Sequence, residues 1–162
     1  MTSLFAAEPP EPREQLDPRP PVPAASFQSA ASAQGRQFAE QCDLLLRSSG
    51  FRLVDRNVSL DVGVEIDRVA SAPSGRTIWF EYKGSLQGSR PGLMRTDTLK
   101  KAIANGALLN VLTDRPPYVV LTSHLPSAGA GLAMLLAARR LGYLDDVICV
   151  YDPAQTGRLR RL

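Results

Sequence analysis

Val62-Gly63-Val64-Glu65-Ile66-Asp67-Arg68-Val69-Ala70 and, after the turn residues Pro73, Ser74 and Gly75, Thr77-Ile78-Trp79-Phe80-Glu81-Tyr82-Lys83 decide how this chain folds. Both runs are dense in β-branched and aromatic residues, and the Pro-Ser-Gly break between them reads as a turn. Successive side chains of a strand point to opposite faces. Thr77, Trp79, Glu81 and Lys83 therefore share one face, while Ile78, Phe80 and Tyr82 share the other. A Glu and a Lys stand side by side on an otherwise apolar strand, and pairing as a hairpin lets Asp67 and Glu81 converge. Charges in a half-buried sheet are costly unless they pair or hold a metal.

Outward from this hairpin, Gly35 to Ser49 carries the helical stripe Phe38, Cys42, Leu45 and Leu46, and Gly50 serves as its C-cap. Phe51 to Val58 reads as a first strand. Thr96 to about Leu109 reads as a second helix, with Thr96 or Asp97 as N-cap and Leu99, Ala102, Ile103 and Gly106 inward. Tyr118 to Thr122 is a short apolar run typical of a buried strand. Gly129 to Leu141 gives a third helix and Val147 to Tyr151 a last strand. The order is α-β-β-β-α-β-α-β. Three adjacent strands followed by alternation predict an α/β domain over residues 34–155, a mixed central sheet flanked by helices.

Residues 1–33 hold seven prolines and then Ala and Ser, a composition that cannot build a core and predicts a disordered arm. Such an arm is either a solvated tail or a docking segment for a protein partner. At the other end, 156–162 reads as a basic tail. Its Arg158, Arg160 and Arg161 are either solvated or add sequence-independent attraction to a phosphate backbone. The arm carries four acidic residues against two arginines, so the remaining chain stands at +5 out of a total of +3. That balance is compatible with a polyanionic partner without proving one. Arg outnumbers Lys, which occurs only at 83, 100 and 101; this bias reads as genome composition rather than function.

No apolar run approaches the roughly 20 residues of a membrane span, and no basic stretch precedes an apolar core at the N-terminus. Cys42 and Cys149 lack CxxC spacing and read as reduced thiols of a cytoplasmic protein. His124 has no second His or Cys to complete a zinc set and reads as a turn-capping or surface residue. A phosphate-binding GxxxxGK(S/T) loop is absent from the sequence.

An ExK tripeptide on a strand is a weak signal that gains weight from an acidic residue 14 positions upstream on the neighbouring strand. The runs Gly50-Phe51-Arg52-Leu53-Val54-Asp55-Arg56-Asn57-Val58, Gly63-Val64-Glu65-Ile66-Asp67 and Phe80-Glu81-Tyr82-Lys83, in this element order, closely resemble the Holliday-junction-resolvase-like branch of the PD-(D/E)XK nuclease superfamily. The resemblance covers about residues 35–122. It implies a restriction-endonuclease-like αβββαβ core, a DNA substrate, and products with 5′-phosphate and 3′-hydroxyl ends. It also implies a Glu from the first helix at the site, which Glu40 matches, and a homodimer. The apolar Leu132–Leu141 helix could serve as its interface, or simply as core. The arm and the long loop from Gly84 to Gly92 depart from the family pattern.

The residue types suit that chemistry on their own terms. Hydrolysis of a phosphodiester calls for a hard cation, and Mg²⁺ (with Mn²⁺ as substitute) takes one or two carboxylates and keeps several waters. Asp67 and Glu81 are the expected ligands, with the main-chain carbonyl of Tyr82. Lys83 would orient or deprotonate the attacking water, or stabilise developing negative charge. A structural salt-bridge cluster is the competing reading of Asp67, Glu81 and Lys83. Glu65 is the fallback ligand, and a bulge near Asp67 would change which carboxylate points inward. Ser85, Gln87, Ser89, Arg90 and Arg95 in the following loop, with Lys100 and Lys101 on the next helix, are candidate phosphate contacts. Once the core elements are placed, little chain remains for a separate base-reading element. That favours a structure-selective or partner-guided nuclease over a restriction enzyme with its own long target site.

Overall fold

The structure, a computed structural model, describes residues 24–84 and 90–162. The elements run α1 (Ala24–Ser48), β1 (Arg52–Ser59), β2 (Glu65–Ser71), β3 (Thr77–Lys83), α2 (Thr96–Leu109), β4 (Tyr118–Thr122), α3 (Gly129–Arg140), β5 (Asp146–Cys149) and α4 (Pro153–Thr156). Short 3-10 turns occupy Gly92–Met94 and Gly157–Arg161. The five strands form one mixed sheet in the order β1-β2-β3-β4-β5. The first three pair antiparallel, and β4 and β5 extend β3 in parallel. The expected element order and mixed sheet are both present.

Helices cover both faces. On one, the α1 stripe Phe38, Cys42 and Leu46 packs on Ala70, Ile78 and Phe80. Phe51 meets Phe80 edge to face there, with ring centroids 5.5 Å apart. On the other, Leu99, Ala102 and Leu109 of α2 and Leu135 and Ala138 of α3 pack on Tyr118 and Val120. Strand β4, buried at all five positions, feeds both layers, as a central parallel strand must.

Besides β5, which ends at Cys149 rather than Tyr151, three boundaries differ from expectation. Helix α1 begins at Ala24, eleven residues before Gly35, so residues 24–33 are helical rather than part of an arm. The Ala-rich run after Pro23 is free of proline and has high helix propensity, which the prolines upstream concealed. The expected arm falls otherwise on residues 1–23, outside the described residues. Second, α2 starts at Thr96, but its N-cap is Arg95, without a side-chain cap. Third, the stretch 156–162 is folded onto the domain: Leu159 is buried in the α1-side core, and Arg158 bonds Asp146 and the Val147 carbonyl.

Candidate active site

Strand β3 meets its face expectations. Ile78 and Phe80 are buried toward α1, with Tyr82 packed beside them, while Trp79 lies on the α2 side. Glu81 is 2% exposed, and Lys83 forms an ion pair with its Oε1. Asn105 of α2 donates to the same oxygen at 3.3 Å. The second oxygen, Oε2, is buried without a partner among the described residues. The Tyr118 hydroxyl is buried close by. Burial and then the Glu81 charge hold its pKa above the ordinary tyrosine range.

The β2–β3 ladder runs from Ser71↔Thr77 to Arg68↔Phe80 and stops there. At the next position the Tyr82 amide donates to Oδ2 of Asp67, at 2.6 Å, in place of a main-chain acceptor. Strand alternation also breaks here. Ala70 serves the α1-side core, whereas Ile66 is buried in the α2-side core. The register shift of the β1–β2 ladder lies between Leu53 and Asp55 rather than at Asp67. Asp67 is within electrostatic reach of Glu81, and Glu65 is exposed. Burial first, then the Glu81 charge, push the Asp67 carboxyl up to about 6; the Tyr82 amide and Lys83 act the other way.

Facing Asp67 from the other side is a cleft of about 550 Å³ between α1 and the β1–β2 hairpin. Asp67, Tyr82 and Glu40 line it, so Glu40 shares a cavity with Asp67. Among the described residues no three acidic, His or Cys side chains converge as a metal-ligand group. Asp43 of α1 makes polar contacts with the strands. It accepts from Arg68 Nε at 2.9 Å, pairs with Arg68 Nη2, and accepts from the Tyr82 hydroxyl at 2.7 Å. Burial, with Asp43 next, raises the Tyr82 pKa above its usual range.

Lys83 is fixed from behind. Its carbonyl accepts from the Thr122 hydroxyl at 2.7 Å. The next residue, Gly84, passes so close to Phe38 that a Cβ there would sit 2.2 Å from the ring. Arg90, Lys100 and Lys101 are exposed, and Arg95 pairs with Asp97 at 3.2 Å. Lys100 also borders an apolar groove between α2 and α3. Ser85, Gln87 and Ser89 lie outside the described residues. His124 stands in the turn after β4, its Nδ1 buried without a partner.

Sequence reasoning missed Asp43, Arg68, Asn105 and Tyr118. Asp43 was detectable: it lies three residues after Glu40, on the same helical face. The others depend on cross-strand and cross-layer placement that no local spacing records.

The residues present fit a hard divalent cation. Two carboxylates from neighbouring strands repel one another, and a buried carboxylate oxygen lacks a donor; Mg²⁺ requires no more protein ligands than that. Fold and site together define an α/β protein with a mixed five-strand sheet and a carboxylate–lysine cluster beside the ladder break at Asp67. No family model, curated protein or solved structure matches this chain. Among the described residues no helix is long and apolar enough to cross a membrane.

Proposed function

We propose that the chain is a metal-dependent nuclease with a restriction-endonuclease-like core, hydrolysing DNA phosphodiester bonds in a structure-selective or partner-guided way. The observation that carries this reading is the meeting of Asp67 and Glu81 around the Tyr82 peptide, with Lys83 ion-paired to Glu81. Asp67, Glu81 and the Tyr82 carbonyl would hold Mg²⁺ or Mn²⁺. When bound, that ion supplies Lewis acidity toward a phosphoryl oxygen and lowers the pKa of water.

The chain's own residues do the positioning. The Tyr82 amide holds Asp67 by one oxygen, and Asn105 steadies Glu81 from the sheet's other layer. Lys83, set by Glu81 and by the Thr122 grip on its carbonyl, directs a positive charge toward a phosphate on which negative charge develops. Arg90, Arg95, Lys100 and Lys101 are proposed backbone contacts, sequence-independent by their chemistry.

The test is cleavage of single-stranded, duplex, flapped and four-way-junction DNA by wild type, Asp67→Asn and Lys83→Ala, in Mg²⁺, Mn²⁺ or EDTA. Metal-dependent cutting should fall roughly a hundredfold or more in both variants. A second reading has its own support. Lys83 and Asn105 already satisfy one oxygen of Glu81, and no three-ligand group forms among the described residues. A non-catalytic nucleic-acid-binding or adaptor module would bind without cutting, and equally well in both variants.

A further inference from the structure

The α1 cleft has a feature that the carboxylate–lysine cluster does not use. Its helical wall is formed by Ser32, Gly35, Arg36, Ala39, Glu40 and Asp43, spaced i, i+3, i+4, i+7, i+8 and i+11 along one face. The opposite wall is β1 and β2, with Arg56, Asn57, Asp67 and Arg68. Small residues on the helix leave the room, and the volume of about 550 Å³ falls within the roughly 300–1,000 Å³ of ligand clefts.

The polar residues divide into two groups. Asp43 and Arg68 neutralise each other and are tied to Tyr82. Arg36, Arg56 and Asn57 are exposed and make no side-chain hydrogen bond or ion pair with the described residues. Arg36 and Arg56, neither of them ion-paired, therefore border a cavity that also holds the exposed Glu40 and ends on Asp67.

Asn57 adds an independent observation. The β1–β2 register pairs Arg56 with Arg68 and Val58 with Ile66, which sets Asn57 at the position opposite Asp67. Its φ is +50°, left-handed backbone in the middle of a strand. A non-glycine residue in that region is uncommon and clusters at functional sites.

We infer that this cleft seats the sugar-phosphate backbone of one DNA strand beside the bond to be cut, with Arg36 and Arg56 on its phosphates. The inference rests on the nuclease reading for its substrate class. It adds a direction in which one strand leaves the site, across β1–β2 and α1. Guanidinium groups suit phosphate oxygens through paired N–H donors.

The experiment measures binding of a fluorescein-labelled single-stranded DNA oligonucleotide in EDTA, at several salt concentrations. It compares wild type, an Arg36→Ala/Arg56→Ala double variant and an Arg76→Ala/Arg140→Ala control. The control loses the same charge from exposed residues that do not line the cleft. The cleft variant should bind about tenfold or more weakly, and its log–log salt slope should shrink by about 1.4, the value for two phosphate contacts on a single strand. The control should stay within about twofold of wild type. Equal losses in the two doubles, or no loss in the cleft variant, would overturn the assignment. Cutting in Mg²⁺ is scored separately. Wild type that cuts while the cleft variant binds normally sinks the cleft alone. Wild type that never cuts while the cleft variant binds weakly sinks the nuclease reading alone.

Discussion

At the scale of single residues, Asp67 is the most informative group because its environment opposes its charge. Its folded pKa of about 6 lies above the ordinary 3.8, so the folded state holds the proton more tightly than the unfolded chain. That stabilisation is complete below about 3.8 and is lost as pH rises through about 6, a swing on the order of 3 kcal/mol. Asp67→Asn keeps an oxygen acceptor for the Tyr82 amide but carries no charge beside Glu81. In EDTA its urea midpoint should exceed that of wild type by more at pH 7 than at pH 4.5. Added Mg²⁺ should close the pH 7 gap by stabilising wild type alone. An unchanged gap would mean that no cation offsets the repulsion. Asn57 is tested by a pair of substitutions. Glycine accepts a φ of +50° freely and alanine does not, so Asn57→Gly should hold stability within about 0.5 kcal/mol and Asn57→Ala should cost about 1 kcal/mol. The shared face of Glu81 and Lys83 was readable in sequence because a strand's period of two dictates it; the surroundings of Asp67 were not, because alternation breaks there. The left-handed backbone of Asn57 leaves no such pattern, since Asn occurs in ordinary strands and turns alike.

At the scale of elements, the site depends on how α1 is held against the hairpin. Asp43 of α1 joins Arg68 of β2 to Tyr82 of β3, and Arg68 Nη1 also donates to the Asp55 carbonyl of β1. One carboxylate thereby ties a helix to two strands and, through Arg68, to a third. Its loss leaves a half-buried guanidinium and a half-buried phenol unanswered, whereas loss of the phenol removes a single hydrogen bond. Asp43→Ala should therefore cost about 2–3 kcal/mol and Tyr82→Phe about 1 kcal/mol in urea unfolding. Comparable costs for the two would remove Asp43 from the centre of the network. Helix α2 is placed by a different device. Gly106 packs so tightly that a Cβ would lie 2.1 Å from the Tyr143 carbonyl oxygen, and its neighbour Asn105 reaches Glu81. The stripe Leu99, Ala102, Gly106 was legible as the inward face of α2. Its consequence for the site was not, because Asn105 contacts a strand 24 residues away in sequence.

At the scale of the whole molecule, the described domain begins earlier and ends later than the sequence pattern places it. Proline marks where a chain cannot be regular, and the prolines up to Pro23 drew the Ala/Ser run beyond them into the expected arm, although that run carries the helix propensity with which α1 begins at once. The basic end read as a tail because three arginines in five residues outweigh one leucine in any composition window. Burial of Leu159 and the bonds of Arg158 to Asp146 make it part of the domain instead. These boundaries determine how a truncation separates the nuclease from an adaptor that docks through its arm. Removing residues 1–33 would confound the two, because it takes ten residues of α1, including Ser32 in the cleft wall. Removing 1–23 takes no part of the elements or of the two cores formed by the described residues. A chain starting at Ala24 should keep its metal-dependent cutting rate, and its Tm should move by less than the roughly 2–4 °C that 1 kcal/mol is worth at this size. The shorter chain starting at Gln34 should still fold, since the buried stripe begins at Phe38, but should bind single-stranded DNA more weakly. If the Ala24 chain stays folded yet no longer cuts, the Pro-rich segment belongs to the working nuclease, and residues 24–162 are not sufficient for catalysis.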